Sequence, residues 1–182
     1  MNKIIDQTFK VAIYLRLSKE DDDLSCSSGA KSESNSISNQ RKLIYDFMKS
    51  HPELELYDEY KDDGKSGSNF ERAEFQRMMK DIEEGKVNCV IVKDQSRFGR
   101  DYIDVGKYKE KIFPKLGVRF ITINEGYDSL SATSSDDLAF TINSFVYDFY
   151  IRDISTKIRT NLTAKKQNGE YAGAFVAYGY VK

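Results

Sequence analysis

Three polar residues alternate with apolar ones where the first apolar segment of the chain ends: Tyr14, Arg16 and Ser18. Because successive side chains of a strand point to opposite faces, all three are expected to project from one side. A buried arginine between a tyrosine and a serine is costly unless it meets an anion. The triplet therefore predicts an anion site beside a serine hydroxyl that is able to act as a nucleophile. A structural salt bridge of Arg16 explains the triplet too, so the alternative stays open at this point.

Further arginines come from separate parts of the chain. Arg97 and Arg100 follow the apolar segment VNCVIV within KDQSRFGR, and Arg72 follows the glycine-rich segment DDGKSGSNFE. Guanidinium groups bind phosphate in a bidentate manner, so arginines that converge at strand ends are typical of a phosphate clamp. Each arginine alone is weak support, but together with the Tyr14 triplet they favour a phosphate site.

The segments that must position these residues alternate between strand and helix patterns. Short apolar segments rich in β-forming residues predict strands over residues 9–17, 87–92 and 118–123, and alternation of apolar and polar residues predicts a strand over 54–60. Helical spacing predicts helices over 38–49, with Ser38 as the cap, over 71–84, and over 102–113, closed by Pro114. This alternation predicts a doubly wound α/β domain, with a mostly parallel central sheet flanked by helices and the site at the carboxyl ends of its strands.

The last third of the chain predicts one long helix. Residues 136–167 contain neither proline nor glycine, and Gly169 follows as a stop. A helix of this kind is ~45 Å long, so we expect it to project from the domain. Its first half is unusually apolar and aromatic, which predicts a subunit interface. The expected organisation is a catalytic core over 1–135, an oligomerisation and DNA-proximal helix over 136–168, and over 169–182 the start of a linker or of a further DNA-binding domain.

Charge is distributed unevenly along the chain. Residues 151–182 carry six Lys/Arg and two Asp/Glu, a net charge of +4, so the remainder carries −5 of the total −1. A basic segment of this kind suits contact with DNA, and a solvated helix face explains it equally well. No apolar stretch is long enough for a membrane span and no signal peptide precedes the core, which together with two distant cysteines predicts a cytoplasmic protein.

Four motifs in this order carry a family resemblance. They are Tyr14-x-Arg16-x-Ser18; Gln40 at the head of a helix; Asp63-Gly64-x-Ser66-Gly67 followed by Arg72; and Ser96-Arg97-Phe98-Gly99-Arg100. From about residue 10 to 168 the sequence resembles the catalytic domain of serine recombinases, the resolvase/invertase superfamily. The final segment GEYAGAFVAYGYVK is similar to the junction in large serine recombinases that precedes their next domain.

The resemblance implies roles for individual residues. Ser18 would attack the scissile phosphate and leave a 5′-phosphoserine linkage, while Arg16, Arg72, Arg97 and Arg100 would bind the phosphate oxygens. Supporting positions in the active site would be occupied by Tyr14, Gln40, Asp63 and Ser96. The basic residues expected to lie near DNA are Arg152, Lys157, Arg159, Lys165 and Lys166. Ser96 departs from the aspartate that many relatives have at this position.

The resemblance also implies the partners and the setting. Double-stranded DNA would be the substrate, in recombination, integration or transposition of a mobile element, with no small-molecule substrate and no membrane. The chain would act as a homo-oligomer, a dimer that becomes a tetramer in synapsis, at the bacterial nucleoid. Neither a cofactor nor a metal is expected, because a phosphoserine bond conserves the energy of the phosphodiester.

Two other classes of function are compatible with parts of the sequence. A metal-dependent nuclease would use Asp62, Asp63, Asp94 and Asp128 as oxygen ligands for magnesium. A phosphoacceptor signalling domain would use an aspartate at a strand end with Lys93 nearby, since a fold does not determine a function. In the nuclease, the arginine clusters would compete with the metal for the same phosphate. The phosphoacceptor domain leaves the arginines and the long helix unexplained.

Overall fold

The apolar segments form the strands of a single sheet in the computed structural model, which describes residues 8–17, 35–62, 72–99 and 101–170. Its strands are β1 (Phe9–Arg16), β2 (Leu54–Asp62), β3 (Cys89–Val92), β4 (Arg119–Thr122) and β5 (Tyr127–Asp128). They lie in the order β2-β1-β3-β4-β5, with β5 antiparallel to β4 and all other pairs parallel. The predicted mostly parallel sheet is confirmed. β5 was not predicted, because two residues are too few to show a period.

Helices connect the strands as the alternating pattern predicts. They are α1 (Asn35–Lys49), α2 (Ala73–Glu83), α3 (Gln95–Phe98), α4 (Tyr102–Lys107), α5 (Phe113–Leu116) and α6 (Ser134–Gln167). The predicted cap at Ser38 is wrong, because α1 begins earlier and Ser38 lies inside it. Ile37 explains the difference: it is fully buried and shares a face with Ile44, so the apolar face of α1 starts before Ser38.

The predicted end at Pro114 is also wrong. A π-helical turn (Tyr108–Ile112) leads from α4 into α5, where Pro114 stands in the first turn. Proline is tolerated there because the first N–H groups of a helix need no intrahelical acceptor. The helix ends instead at Gly117, whose φ of +67° is the left-handed conformation that favours glycine.

Side chains of the central strands alternate between two apolar clusters, one on each face of the sheet. In β1, Ala12 and Tyr14 belong to the cluster that includes residues of α2, α3 and α5, whereas Val11 and Ile13 belong to the cluster that includes residues of α1. Both faces are therefore covered, as expected of a doubly wound sheet. The α/β fold flanked by helices is confirmed.

The chain divides into two compact units, Met1–Phe145 and Val146–Lys182. The predicted long helix is confirmed as α6, which has 34 residues and contributes to both units. In the first unit Phe140 of α6 is buried and its ring lies 4.5 Å from that of Tyr127. Across the described ranges, no helix is both long enough and apolar enough to cross a bilayer.

Candidate active site

The order of the strands creates a crevice between the carboxyl ends of β1 and β3. These strands are neighbours although β2 comes between them in sequence, so the connections that leave them run to opposite faces of the sheet. Ligands of open α/β sheets bind at such a switch point. Arg16 is the last residue of β1, and the segment with Ser96 and Arg97 follows β3 directly. The topology therefore brings the two arginine motifs to one place.

Arg16 is buried at this crevice, with 2% of its surface exposed. Its Nε donates to the carbonyl oxygen of Arg97 at 2.9 Å, and its Nη2 donates to the carbonyl oxygen of Ser96. In the other direction, Nη1 of Arg97 donates to the carbonyl oxygen of Arg16 at 3.4 Å. Hydrogen bonds in both directions therefore tie the end of β1 to α3, and the Arg16 guanidinium has a defined orientation.

Gln40 holds the backbone of Arg16 from the other side. Its Oε1 accepts from the Arg16 N–H at 3.4 Å, and its Nε2 donates to the Arg16 carbonyl oxygen at 3.2 Å. Nε2 also donates to Oγ of Ser36, one turn earlier in α1, at 3.2 Å. Gln40 is buried, with 1% of its surface exposed. Its amide group satisfies both the N–H and the carbonyl oxygen of Arg16, as a neighbouring strand would. The predicted supporting residue is thus in contact with the predicted catalytic arginine.

Tyr14 links a carboxylate to the third arginine. Its hydroxyl donates to Oδ2 of Asp62 at 2.8 Å and accepts from Nη1 of Arg72 at 2.7 Å. The same Nη1 of Arg72 donates to the carbonyl oxygen of Phe98 at 3.1 Å. Burial raises the pKa of Tyr14 well above its ordinary value, so the hydroxyl stays protonated and serves as a hydrogen-bond relay.

Asp62 is a residue of this site that the sequence analysis did not assign to it. Besides Tyr14, its carboxylate accepts from the backbone N–H groups of Glu74 and Phe75, each at 3.1 Å. These N–H groups belong to the first turn of α2, where a carboxylate is favourable. Asp62 thereby joins the end of β2 to the start of α2, which Arg72 immediately precedes. The pattern of an aspartate before a glycine-rich loop carried no signal for this contact.

The short helix α3 is held at its start by carboxylates and binds arginines at its end. Oδ1 of Asp94 accepts from the Ser96 hydroxyl at 2.6 Å and from the Arg97 N–H at 3.0 Å. Oε1 of Glu125 accepts from the Gln95 N–H at 3.1 Å. A helix carries a partial positive charge at its N-terminus and a partial negative charge at its C-terminus, so both sets of contacts match its dipole.

The predicted site residues that the structure brings into one hydrogen-bonded network are Tyr14, Arg16, Gln40, Arg72, Ser96 and Arg97. Ser18, Asp63 and Arg100 lie outside the described residues. The residues predicted to lie near DNA, Arg152, Lys157, Arg159, Lys165 and Lys166, are all exposed on α6. Lys157 forms an ion pair with Asp153 at 2.6 Å.

Three of the four aspartates of the nuclease alternative accept hydrogen bonds from protein donors, and the fourth, Asp63, lies outside the described residues. Asp62 and Asp94 accept the hydrogen bonds given above, and Asp128 binds Arg119 through both oxygens, at 3.1 and 2.7 Å. In the described part of the chain, no three acidic, histidine or cysteine side chains cluster in a way that could hold a metal. For the phosphoacceptor alternative, Asp94 is engaged as the N-cap of α3 and is not an open acceptor.

Comparison with known proteins shows the family to which this fold belongs. Residues 11–171 match the family model of the resolvase N-terminal domain. No curated protein matches the sequence significantly. The catalytic domain of TP901-1 integrase is similar, with 28% identity, a TM-score of 0.58, and coverage of 79% of this chain and 97% of that one.

Two further crystal structures are similar. A resolvase family site-specific recombinase from Streptococcus pneumoniae has 27% identity and a TM-score of 0.54, covering 88% of this chain and 99% of that one. The catalytic domain of ISC1926 TnpA, an IS607-like serine recombinase, shares the fold at 21% identity and a TM-score of 0.51, covering 89% and 100%. With its match over most of the chain, this protein belongs to the resolvase N-terminal domain family of serine site-specific DNA recombinases.

Proposed function

We propose that this chain cuts and rejoins double-stranded DNA through a covalent bond between Ser18 and a 5′-phosphate. The observation that carries the proposal is the convergence of Arg16, Arg72 and Arg97 on the crevice between β1 and β3. Ser18 follows Arg16 by two residues in the chain. Three guanidinium groups thus concentrate positive charge at one strand end, partly offset by Asp94, whose Oδ2 lies 3.9 Å from Nε of Arg97. Such a concentration of positive charge favours a phosphate and lowers the cost of deprotonating a nearby hydroxyl.

The proposed reaction is a balanced exchange of phosphodiesters. The Ser18 hydroxyl gives its proton to solvent and its Oγ attacks the phosphorus. The bond from phosphorus to the 3′ oxygen breaks, and that oxygen leaves as a 3′-hydroxyl after taking up a proton from solvent. In the reverse step a 3′-hydroxyl attacks the phosphoserine and releases Ser18. Arg16, Arg72, Arg97 and Arg100 stabilise the negative charge of the transition state. Since one ester replaces another, the exchange requires neither ATP nor a metal.

The supporting residues keep these guanidinium groups in place. Tyr14 orients Arg72, Gln40 holds the end of β1, and the Ser96 carbonyl accepts from Arg16. Because the Ser96 hydroxyl donates to Asp94, Ser96 contributes to the shape of α3 rather than to proton transfer. Asp63, the residue after β2 in the chain, is also proposed to support the site.

We further propose that α6 mediates assembly and leads toward DNA. Within the first unit Leu138, Ile142 and Phe145 are 61%, 52% and 53% exposed. Their spacing of four and three residues places them on one face of the helix. Such an apolar stripe favours contact with further copies of the chain, which supports a tetramer when two DNA sites are paired. The basic residues from Arg152 to Lys166 are proposed to lie along the DNA backbone.

The test uses the full chain and a pool of duplexes with a randomised central sequence, labelled at either end and incubated in EDTA. After denaturation in SDS, we expect the fragment on the 3′ side of the break, which carries the new 5′-phosphate, to stay attached to the protein, so a 3′-end label is retained with it and a 5′-end label is released. Ser18→Ala is expected to form no adduct, while its affinity for the pool stays the same. Adducts that persist with Ser18→Ala, or wild-type protein without any adduct, would overturn the proposal.

A further inference from the structure

Glu125 occupies a place in the fold for which neither the motifs nor the proposed reaction gives a reason. It lies in the turn after β4, where the Ile123 N–H donates to the Val92 carbonyl oxygen at 3.2 Å and the Asn124 N–H donates to that of Lys93 at 2.9 Å. The pairing of β3 with β4 thus continues past the last residues of both strands. Gly126, with φ of +61°, reverses the chain immediately afterwards. Glu125 is carried in this way to the start of α3.

The carboxylate of Glu125 is held where burial is unfavourable for its charge. Oε1 accepts from the Gln95 N–H at 3.1 Å, whereas Oε2 is buried and has no hydrogen-bond partner among the described residues. Burial raises the pKa of Glu125, and the hydrogen bond from the Gln95 N–H opposes that rise. A partly buried carboxylate with one unsatisfied oxygen costs stability. Its contact with α3 is the interaction that offsets this cost.

The helix that Glu125 contacts cannot maintain its own position. With four residues, α3 is a single turn, and a single turn has no independent stability. Its position therefore depends on its contacts. At the start these are hydrogen bonds to Asp94 and Glu125, and at the end they are hydrogen bonds that its carbonyl oxygens accept from guanidinium groups. A shift of α3 would move the acceptors of Arg16 and Arg72 together with Arg97 itself.

We propose that Glu125 is a positioning residue of the active site, which fixes α3 by accepting the Gln95 N–H and thereby holds the arginine cluster in its reactive arrangement. This inference rests on the proposed function, because it assigns the arginines to the scissile phosphate. Glu125 itself need not touch DNA. Its effect passes through the backbone of α3, and the required property is an oxygen acceptor at the Oε1 position.

The experiment compares Glu125→Ala with Glu125→Gln in the adduct assay with the randomised duplex pool. Glu125→Ala is expected to slow adduct formation about 10- to 100-fold, since a displacement of about 1 Å has this effect on a catalytic arrangement. Its affinity for the pool should stay the same. Glu125→Gln retains a side-chain oxygen for the Gln95 N–H and is expected to restore the rate. Glu53→Ala serves as a matched control, because Glu53 contacts Arg119, at the amino end of β4, at 3.5 Å.

A second variant removes the other half of the contact. Gln95 is the first residue of α3 and follows Asp94, whose extended backbone suits the position before a proline. Gln95→Pro deletes the donor N–H and is expected to slow adduct formation, and adding Glu125→Ala to it should have little further effect. This cycle remains informative if Glu125→Ala alone folds poorly.

Three results would overturn the inference while the proposed function stands: a wild-type rate for Glu125→Ala, no restoration by Glu125→Gln, or additive effects in the cycle with Gln95→Pro. An equal loss of rate in Glu53→Ala would also overturn it, because general destabilisation would then explain the effect. Wild-type protein that forms no adduct at all contradicts the proposed function instead. The two failures are therefore distinguishable.

Discussion

The guanidinium of Arg16 donates from Nε to the backbone carbonyl oxygen of Arg97, with 2.9 Å between the two atoms. This contact joins two motifs that are 81 residues apart in the chain. It shows that a predicted catalytic arginine is part of the framework of the site, because it uses partly buried backbone carbonyl oxygens of α3 as acceptors. The side chain that is proposed to supply charge for the phosphate thus also makes the site rigid.

Replacement of Arg16 by lysine is expected to abolish adduct formation and to destabilise the domain. An ammonium group cannot reach the carbonyl oxygens of both Ser96 and Arg97 from one position, so a buried acceptor loses its partner at a cost of about 1–3 kcal/mol. Urea unfolding and the adduct assay measure the two effects. Arg77→Lys is the control, because Arg77 is partly exposed and contacts Glu74 and Asp58 outside the site. Wild-type cleavage by Arg16→Lys would contradict this role.

Tyr14→Phe is expected to slow adduct formation without weakening DNA binding. The substitution removes the hydroxyl that joins Asp62 to Arg72, and the loss should lower the free energy of unfolding by about 1–3 kcal/mol. Single-turnover cleavage and urea unfolding test it. Tyr45→Phe, which removes a hydroxyl bonded to Glu59 at 2.9 Å, should leave cleavage unchanged. Because burial raises the pKa of Tyr14, its ultraviolet titration should occur above that of an exposed tyrosine.

Chelation of metal ions is expected to leave adduct formation unchanged. Asp62, Asp94 and Asp128 already accept hydrogen bonds from protein groups, so a magnesium ion would have to displace these donors. Adduct yield is measured with EDTA and with added magnesium. Asp128→Asn, which weakens the contact with Arg119, should lower stability and leave cleavage intact. A requirement for magnesium would favour the nuclease alternative.

Ile142→Glu is expected to block assembly on DNA while the domain stays folded. Ile142 is 52% exposed, so the substitution does not disturb the core, but it places a charge on the apolar stripe of α6. Sedimentation of the protein with DNA, and recombination between two sites, measure the effect. Asn143→Glu adds the same charge to a neighbouring exposed position outside that stripe and should be tolerated. Unchanged assembly of Ile142→Glu would show that the stripe is not an interface.

Lys109→Met is expected to lower stability near neutral pH more than at pH 3. Nζ of Lys109 is buried 2.8 Å from Oδ1 of Asp137 and 4.8 Å from the centre of the Phe140 ring. Hydrogen bonds from Lys109 and Tyr127 hold the pKa of Asp137 below its usual range. Its stabilising effect is therefore present above the unfolded-state pKa of about 3.9 and is lost as the pH falls through the lower folded-state value.

The measurement is urea unfolding of Lys109→Met and wild type at both pH values. The difference at neutral pH should be about 1 kcal/mol, because the Asp137 side chain is 52% exposed and solvent weakens the pair. Lys49→Met is the control, since the Lys49–Asp46 pair is largely exposed. A difference that grows toward pH 3 would contradict the sign of the effect.

The sequence by itself determined the fold class and the set of arginines. Apolar segments with a period of two or of 3.6 residues predict strands and helices from local properties. The mostly parallel sheet and the long helix therefore followed from the pattern. Arg16 was recognisable because a buried guanidinium beside hydroxyl groups needs an anionic partner. Arg72 and Arg97 were recognisable because arginines from separate segments that meet at strand ends suit a phosphate clamp. Local signals failed at Ser38 and at Pro114, where packing of Ile37 and the π-helical turn decided the helix ends.

Only the tertiary structure decided what holds the arginines in place. Asp62, Asp94 and Glu125 are ordinary acidic residues in the sequence, and their roles depend on which backbone N–H groups lie within hydrogen-bond distance after folding. That proximity arises from the order of β1, β3 and β4 in the sheet, which joins segments far apart in the chain. Hydrogen bonds act over about 3 Å, so a sequence pattern without the strand order carries no information about them.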